Sequence, residues 1–343
     1  MLETLIRQEI QKRGFLSQKD FMDLALRHRE YGYYRSQEAI NRDFTTSPEI
    51  CQVFGEMIGL WVTDYFHKLG GPESVSLVEL GPGKGTLMAD FLRAASISKP
   101  FEESLNIYCV EINPLLRESQ YKALLRPASW VESFESIPSK EHPLMIIANE
   151  FFDVMPVQYL VRKNNVVSER VISLEENKFA YALNPFQESN GPDEAWEESP
   201  EAEELIHQIC TRLLNHTGVF LCIDYGYEEG RGDSIQALYR GAPSDPLSHI
   251  GLSDLTCHVN FGRLKEIALS RGLGVLGPLS QGKFLKNIGF NQRIDMLKQK
   301  NPSQKASLDA AATRLIHPQQ MGTLFKVMAV FSPSSAIPLG FEA

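Results

Sequence analysis

Several features are scarce in this chain of 343 residues, and each scarcity excludes something. Basic residues are outnumbered, 34 Lys and Arg against 43 Asp and Glu, and the net charge is −9. With no basic stripe along the sequence, a nucleic-acid partner is not expected, whereas a cationic substrate is compatible with the balance. No apolar run approaches the roughly 18 to 20 residues of a membrane span. Cysteine is sparse and unpaired: Cys51, Cys109, Cys210, Cys222 and Cys257 are scattered and odd in number. None has the close spacing of metal ligands, so no metal site is expected, and three lie in apolar runs as small core residues do. A reduced compartment follows. The first thirty residues lack both the apolar segment of a secretory signal and the acid-poor character of a transit peptide. A cytoplasmic location is therefore expected. Internal repeats are absent too.

What is present is a chain that is 43% hydrophobic, long enough to bury a full core as one extended domain or two. Its most informative segment is Gly81-Pro82-Gly83-Lys84-Gly85, directly after the apolar run Leu77-Val78-Glu79-Leu80 and before Thr86-Leu87-Met88. That order reads as strand, tight turn, helix. Glycine allows the positive φ of such a turn and lets a ligand lie against the backbone. Free amides at the start of the helix favour a carboxylate or phosphate. The spacing is not that of a phosphate-binding loop, because Thr86 follows Gly85 with no lysine between them. It is not the dinucleotide fingerprint either: position 86 is Thr, and the next strand-ending acid, Glu111, lies further on than about 20 residues.

Along the chain, helices are expected over Leu2–Arg13, from Ser17 (with Asp20 completing a capping-box variant), and from Ser47 as N-cap with Pro48 behind it. Strands are expected at 77–80, 106–111, 129–131, 144–148, 218–223 and 323–331, most of them separated by helices. This alternation predicts a mainly parallel sheet covered on both faces, with a ligand beyond the carboxyl ends of the strands. An inserted antiparallel hairpin is expected near 157–183, turning at Asn164-Asn165. The acid-rich segment 192–205 reads as a solvated loop entering a helix at Pro200, and 226–262 reads as a long loop. Helical segments are expected over 284–317.

The compressed glycine turn, with Glu79 two residues before it, resembles motif I of the class I S-adenosylmethionine (SAM) methyltransferases. Asp43-Phe44-Thr45-Thr46-Ser47-Pro48-Glu49, Asn149-Glu150-Phe151-Phe152-Asp153, Asp254-Leu255-Thr256-Cys257-His258 and Met321-Gly322-Thr323 occur with it in the same order. Together they resemble the MidA-type family, which contains the assembly factor that methylates an arginine of respiratory complex I. The resemblance implies a Rossmann-like α/β fold, SAM as cofactor and a protein substrate. It further implies symmetric dimethylation of an arginine on the 49-kDa-type complex I subunit. The chain departs from that pattern at Cys257, where the family tends to have Ala, and at Asn260, where it tends to have Asp. An N-terminal segment 1–70 is expected to close over the cofactor site of a methyltransferase domain 71–343, with inserts near 157–200 and 226–262.

Within that resemblance, Glu79, Gly81, Pro82, Gly83, Gly85 and Thr86 surround the methionine half of SAM, and Thr45 closes over it. Glu111 takes the ribose hydroxyls, Glu132 and Ser133 sit near the adenine, and Asn149 also faces the cofactor. Arginine is a weak nucleophile because its charge is delocalised and its pKa lies above roughly 12. Carboxylates that bind a guanidinium can localise that charge and orient the attacking nitrogen. Glu150 and Asp153 are the candidate clamp, although Asp153 equally suits a helix start. His258 is a candidate base, and Asp224 and Tyr225 are candidate substrate contacts. Methylation of another side chain or a small molecule, and a non-catalytic SAM-binding role in assembly, are the competing readings.

Overall fold

The computed structural model describes residues 1–35, 46–230 and 232–342. The chain divides into two compact units, one of Met1–Phe44, Asp153–Glu204 and Glu229–Val259, the other of Thr45–Phe152, Leu205–Glu228 and Asn260–Ala343. Elements are numbered along the chain.

In the first unit, α1 (Leu2–Arg13) ends at Gly14, whose φ of +90° requires no side chain. After β1 (Leu16–Ser17), α2 (Gln18–Arg27) starts where the Ser17 hydroxyl accepts the Asp20 amide at 3.0 Å, as its sequence predicts. The expected hairpin forms as β6 (Gln158–Lys163) and β7 (Val166–Glu175). Asn164 and Asn165, with φ of +51° and +62°, make its turn, because Asn tolerates the left-handed region. The insert is larger than the hairpin: β8 (Lys178–Glu188) pairs with β7, and β9 (Glu194–Glu198) pairs with β6, giving a sheet ordered β1-β7-β6-β9. The segment expected as an acidic loop is therefore partly strand. Its Glu197 is buried, with the Ser234 amide donating to it at 3.0 Å. The long loop expected over 226–262 holds a second sheet, ordered β12 (Ala242–Ser244), β11 (Gln236–Tyr239), β13 (Asp254–Thr256). Strands of three or four residues are too short for alternation to be read in sequence. Ile6, Ile10, Phe21, Met22, Ile172 and Leu255 close one apolar cluster around these elements.

The second unit is built on β2 (Val75–Leu80), β3 (Leu105–Val110), β4 (Ser129–Val131), β5 (Leu144–Asn149), β10 (Gly218–Tyr227), β15 (Gly274–Ser280) and β16 (Phe325–Phe331). Their order is β15-β16-β10-β5-β2-β3-β4. The strands β4, β3, β2, β5 and β10 run parallel, and β16 is antiparallel to both its neighbours. β2 and β5 are buried along their whole length, as strands covered on both faces must be. The strand β15 went unread because Gly274, Gly277 and Pro278 break its apolar run; its edge position tolerates that proline. A two-residue strand β14 (Val259–Asn260) precedes α9 (Phe261–Ser270). The C-terminal helical stretch resolves into α10 (Gln281–Asn287), α11 (Phe290–Lys300) and α12 (Lys305–Ile316).

The helix expected from Ser47 is two helices. α3 (Ser47–Ile50) has Thr46 rather than Ser47 as its N-cap residue, and Cys51, extended at φ −157°, separates it from α4 (Gln52–Lys68). Both, which the sequence reading placed within the segment 1–70, belong to this unit. α4 buries Val53, Phe54, Met57, Ile58, Trp61, Val62 and Phe66, each worth about 1.5–3 kcal/mol when fully removed from water. It lies close against α5 (Thr86–Ala95), and the approach depends on two glycines one turn apart. A Cβ on Gly59 would stand 2.6 Å from the Phe91 carbonyl oxygen, and one on Gly55 would stand 2.6 Å from the Asp90 Cβ. Gly59→Ala is therefore expected to lower stability by about 1–3 kcal/mol, despite the roughly 1 kcal/mol better helix propensity of Ala. A guanidinium denaturation midpoint equal to wild type contradicts this packing.

Candidate functional site

The site is assembled where β2, β3, β5 and β10 end. Gly81 keeps the chain beside β3 by donating its amide to the Val110 carbonyl at 3.0 Å. Gly81, Gly83 and Gly85 all have positive φ, +63°, +56° and +85°, but their surroundings differ. A Cβ on Gly81 would lie 2.5 Å from the Phe151 ring, and one on Gly85 would lie 3.1 Å from the Gln120 Cα. At Gly83 nothing stands within 4 Å of that position, so this residue is the open face of the turn. Pro82 is buried, and its carbonyl accepts the Gly85 amide at 2.8 Å. Thr86 begins α5, directing the first amides of that helix at the turn. Lys84 is held away by an ion pair with Glu49 at 3.0 Å.

Two carboxylates flank the turn. Glu79, 3% exposed, has its Oε2 buried with no partner, and burial pushes its pKa up to about 8. Glu111, the first residue past β3, is also buried and shifted upward by burial. That shift is opposed by donors: the Asn113 amide reaches Oε1 at 2.8 Å, and the Gln120 Nε2 reaches Oε2 at 3.0 Å. Arg117 donates to the Glu111 backbone carbonyl and pairs with the exposed Glu132 at 3.6 Å. Ser133, one residue on, is exposed and shares a hydroxyl contact with Ser136 at 2.9 Å. Gln120 and Asn113 were missed by the sequence reading. Gln120, on α7 (Pro114–Leu124), occupies the helix face that also buries Leu124, and a polar residue at an apolar helical position is the signal that could have found it.

At the end of β5, Asn149 is 8% exposed; its Nδ2 donates to the Glu150 Oε1 at 3.2 Å and its Oδ1 is buried with no partner. Glu150 has a φ of +51°, unusual for a residue with a side chain, and its Oε1 also accepts the Ser47 amide at 2.8 Å. Burial raises its pKa, and these donors oppose the rise. Asp224, on β10, has no exposure and accepts the amides of Phe151, Phe152 and Tyr225 at 3.1, 2.9 and 2.9 Å. It thus holds the turn after β5. Tyr225 is buried edge-on against Phe325, with ring centroids 5.4 Å apart.

Asp153 and His258 belong to the first unit. Asp153 is buried, and its carbonyl accepts the Cys257 amide at 2.8 Å and the Cys257 thiol at 3.3 Å. The His258 amide donates to the Ser234 hydroxyl at 2.9 Å. In the same unit the Tyr34 hydroxyl donates to the buried Asp254 at 3.0 Å; burial, Asp254 and Asp153 together hold its pKa well above the usual tyrosine value. Asn260 caps α9, accepting the Arg263 amide at 3.0 Å, a task Asp performs equally well. Thr45 lies outside the described residues. Among the described residues, no helix is long and apolar enough to cross a membrane. All five cysteines are buried, and none forms a disulfide.

The arrangement suits a ligand with hydroxyls for Glu111, a cationic group for the unpartnered acceptors Glu79 and Asn149, and an anionic group for the helix start. Residues 57–279 match the family described as S-adenosyl-L-methionine-dependent methyltransferase. The chain is similar to the mitochondrial protein arginine methyltransferase NDUFAF7 of Danio rerio, 30% identical over 93% of this chain and 84% of that protein. It is similar also to the mitochondrial NDUFAF7 homolog of Drosophila melanogaster, 30% identical over 95% of this chain and 84% of that one. A crystal structure from Burkholderia thailandensis bound to S-adenosyl-homocysteine shares its fold, with a TM-score of 0.85 at 23% identity over 98% of this chain and 93% of that one. The fold is that of the class I methyltransferases, as expected. The cytoplasmic expectation is overturned, since the relatives are named as mitochondrial proteins. Compartment is set by a receptor-read address, and the composition of the first thirty residues was a poor guide to it.

The acidity of Glu79 gives a measurable signature. Its native pKa of about 8 lies above the ordinary 4.5, so between those values the folded state holds more protons than the unfolded one and stability falls as pH rises. Relative to wild type, ligand-free Glu79→Gln is expected to gain about 1.4 kcal/mol per pH unit across that window, with no further gain above it. Denaturant titrations at pH 5, 7 and 8.5 that show a constant difference contradict this assignment.

Proposed function

We propose, from the premise that the chain belongs to the S-adenosyl-L-methionine-dependent methyltransferase family, that its acceptor is an arginine side chain of a complex I subunit and that the product is symmetrically dimethylated. The chain is an enzyme, and its methyl donor is SAM. The observation that supports an arginine acceptor is the 30% identity, over more than nine-tenths of the chain, to proteins named as protein arginine methyltransferases; the complex I subunit and the symmetric product follow only from the family resemblance in the sequence.

The residues present fit the donor. Gly83 leaves the turn open, Glu111 retains acceptor capacity toward a ribose, and Glu79 Oε2 and Asn149 Oδ1 are buried acceptors without partners. When bound, SAM would supply a methyl group on a sulfonium, for transfer by in-line displacement with the neutral thioether as leaving group. The chain's own residues hold, orient and deprotonate the acceptor. Glu150 has Oε1 occupied by the Ser47 amide and the Asn149 side chain, and Oε2 is the oxygen proposed to take a guanidinium N–H. Such a contact draws the positive charge toward the bound nitrogens and leaves another as nucleophile. Asp153, three residues on, is the second acid of the proposed clamp by sequence spacing alone. His258 is the proposed base that receives the released proton.

Incubation with labelled SAM and the complex I subunit, followed by mass spectrometry of its arginines, tests the acceptor; label on no arginine defeats it. Gly83→Val, whose side chain enters open space but strains a backbone at φ +56°, is expected to abolish transfer, with circular dichroism checking that the chain remains folded. Glu150→Gln and Asp153→Asn are each expected to lower kcat at least 100-fold with S-adenosyl-homocysteine binding retained. Near-normal turnover in both removes the clamp from the mechanism.

A further inference from the structure

Gln120 makes an unusual set of contacts for a side chain that no part of the reaction requires. It has no exposure, and every hydrogen-bonding group of its amide is engaged. The Trp130 indole Nε1 lies 2.8 Å from its Oε1. An indole nitrogen can only donate, so the oxygen of the amide must face Trp130, and the amide orientation is settled by chemistry. Both hydrogens of Nε2 then point the other way. One goes to the Gly83 carbonyl at 2.7 Å, and the other to the Glu111 Oε2 at 3.0 Å. A single side chain thereby ties the open residue of the glycine turn, after β2, to the acid at the end of β3.

We infer that Gln120 is a positioning residue for the cofactor, setting the spacing between the glycine turn and Glu111 and holding Glu111 as an ionised acceptor. The inference rests on the reading of this cleft as the SAM site. Glu111 can receive two ribose hydroxyls only as a carboxylate with lone pairs aimed at the cleft. Its Oε1 is fixed from one side by the Asn113 amide, and the Ile112 amide also donates to this carboxylate; without Gln120 its Oε2 loses the side-chain donor at 3.0 Å. The Gly83 carbonyl loses its partner at the same time, so the turn and the acid become free to move independently. Trp130, on β4, is the remote end of this relay. The backbone of α7 packs on the turn as well, since the Gln120 Cα is what a side chain at position 85 would meet.

The ionisable groups around Glu111 define what a pH profile reads. Arg117, on α7, favours the carboxylate, and Glu132, past β4, is paired with Arg117. Cys109 on β3 is held as a thiol by burial, with Glu79 and Glu111 adding to the effect. Glu79, on β2, acts on the same Cys109, and its own titration is common to wild type and variants. Removing Gln120 withdraws a donor that stabilises the charged form of Glu111, so its pKa rises, and ligand binding that needs the carboxylate is lost at higher pH than in wild type.

Calorimetric titration of S-adenosyl-homocysteine into the full chain, from pH 5.5 to 8.5, tests this. Gln120→Met, which matches the side chain in length but cannot donate, is expected to bind about 10- to 100-fold more weakly at pH 7.5, with the acid limb of binding moved upward. Trp130→Phe removes the group that orients the amide; it is expected to bind about 3- to 10-fold more weakly in the same direction, and it carries the test if Gln120→Met does not fold. Wild-type affinity in Gln120→Met, or a weakened affinity with an unmoved acid limb, overturns the positioning role while leaving the SAM site standing. No heat with the wild-type chain overturns the site reading and this inference together.

Discussion

The close approach of the Phe151 ring to the bare Cα of Gly81 is the constraint around which the site is organised. β2 and β5 run parallel and in register, Leu80 opposite Ala148, so both chains must turn away from the sheet at the same level. Only one of them can place a side chain in the space between. Phe151 fills it, and Gly81 must carry none, because a Cβ there would stand 2.5 Å from the ring. Asp224 fixes the other side of this arrangement from β10, accepting the amides of Phe151 and Phe152. These three strand ends therefore determine one another. The positive φ of Glu150 follows as the local strain of fitting a sharp turn immediately before an aromatic anchor.

The electrostatics of the cleft have the same economy. Glu79, Glu111 and Glu150 are raised in pKa chiefly by burial, and the bonds that oppose this for Glu111 and Glu150 come mostly from amide donors. The nearby cations are occupied elsewhere, Lys84 with Glu49 and Arg117 with Glu132 and a backbone carbonyl. Amide donors hold a carboxylate in place without cancelling its charge. Glu111 and Glu150 thus stay acceptors suited to a donor that carries a sulfonium and an ammonium and to a cationic acceptor, and a cationic group beside Glu79 would favour its charged form. A buried carboxylate left this way costs stability in the ligand-free protein, which is the usual cost of a site built for binding.

What could be read from the residues depended on whether the signal was local. The strand-turn-helix at 75–95, the hairpin turn at Asn164-Asn165 and the Ser17 cap were all legible, because each depends on the φ preference or hydrogen-bonding capacity of adjacent residues. The three-stranded sheet at 236–256 and the edge strand β15 were not. Their elements are short or interrupted by glycine and proline, and they exist because neighbours complete their hydrogen bonds. The cap expected at Ser47 falls instead at Thr46, because Ser47 is already the first helical residue, and its amide goes to Glu150, 103 residues away, a partner that no local pattern records.

The sequence by itself determined the fold class, the glycine turn and the identity of the acids at the strand ends, since alternation of apolar segments and the freedom of glycine are properties of short stretches of chain. The tertiary structure alone decided what those acids do. It commits Asp224 to three amides and leaves one oxygen of Glu79 and one of Asn149 buried and unpartnered. It also places Gln120, otherwise an unremarked helix residue, between the glycine turn and Glu111. A hydrogen bond depends on where its partner is, and partners far apart in the chain meet only when the sheet has brought the ends of its strands together.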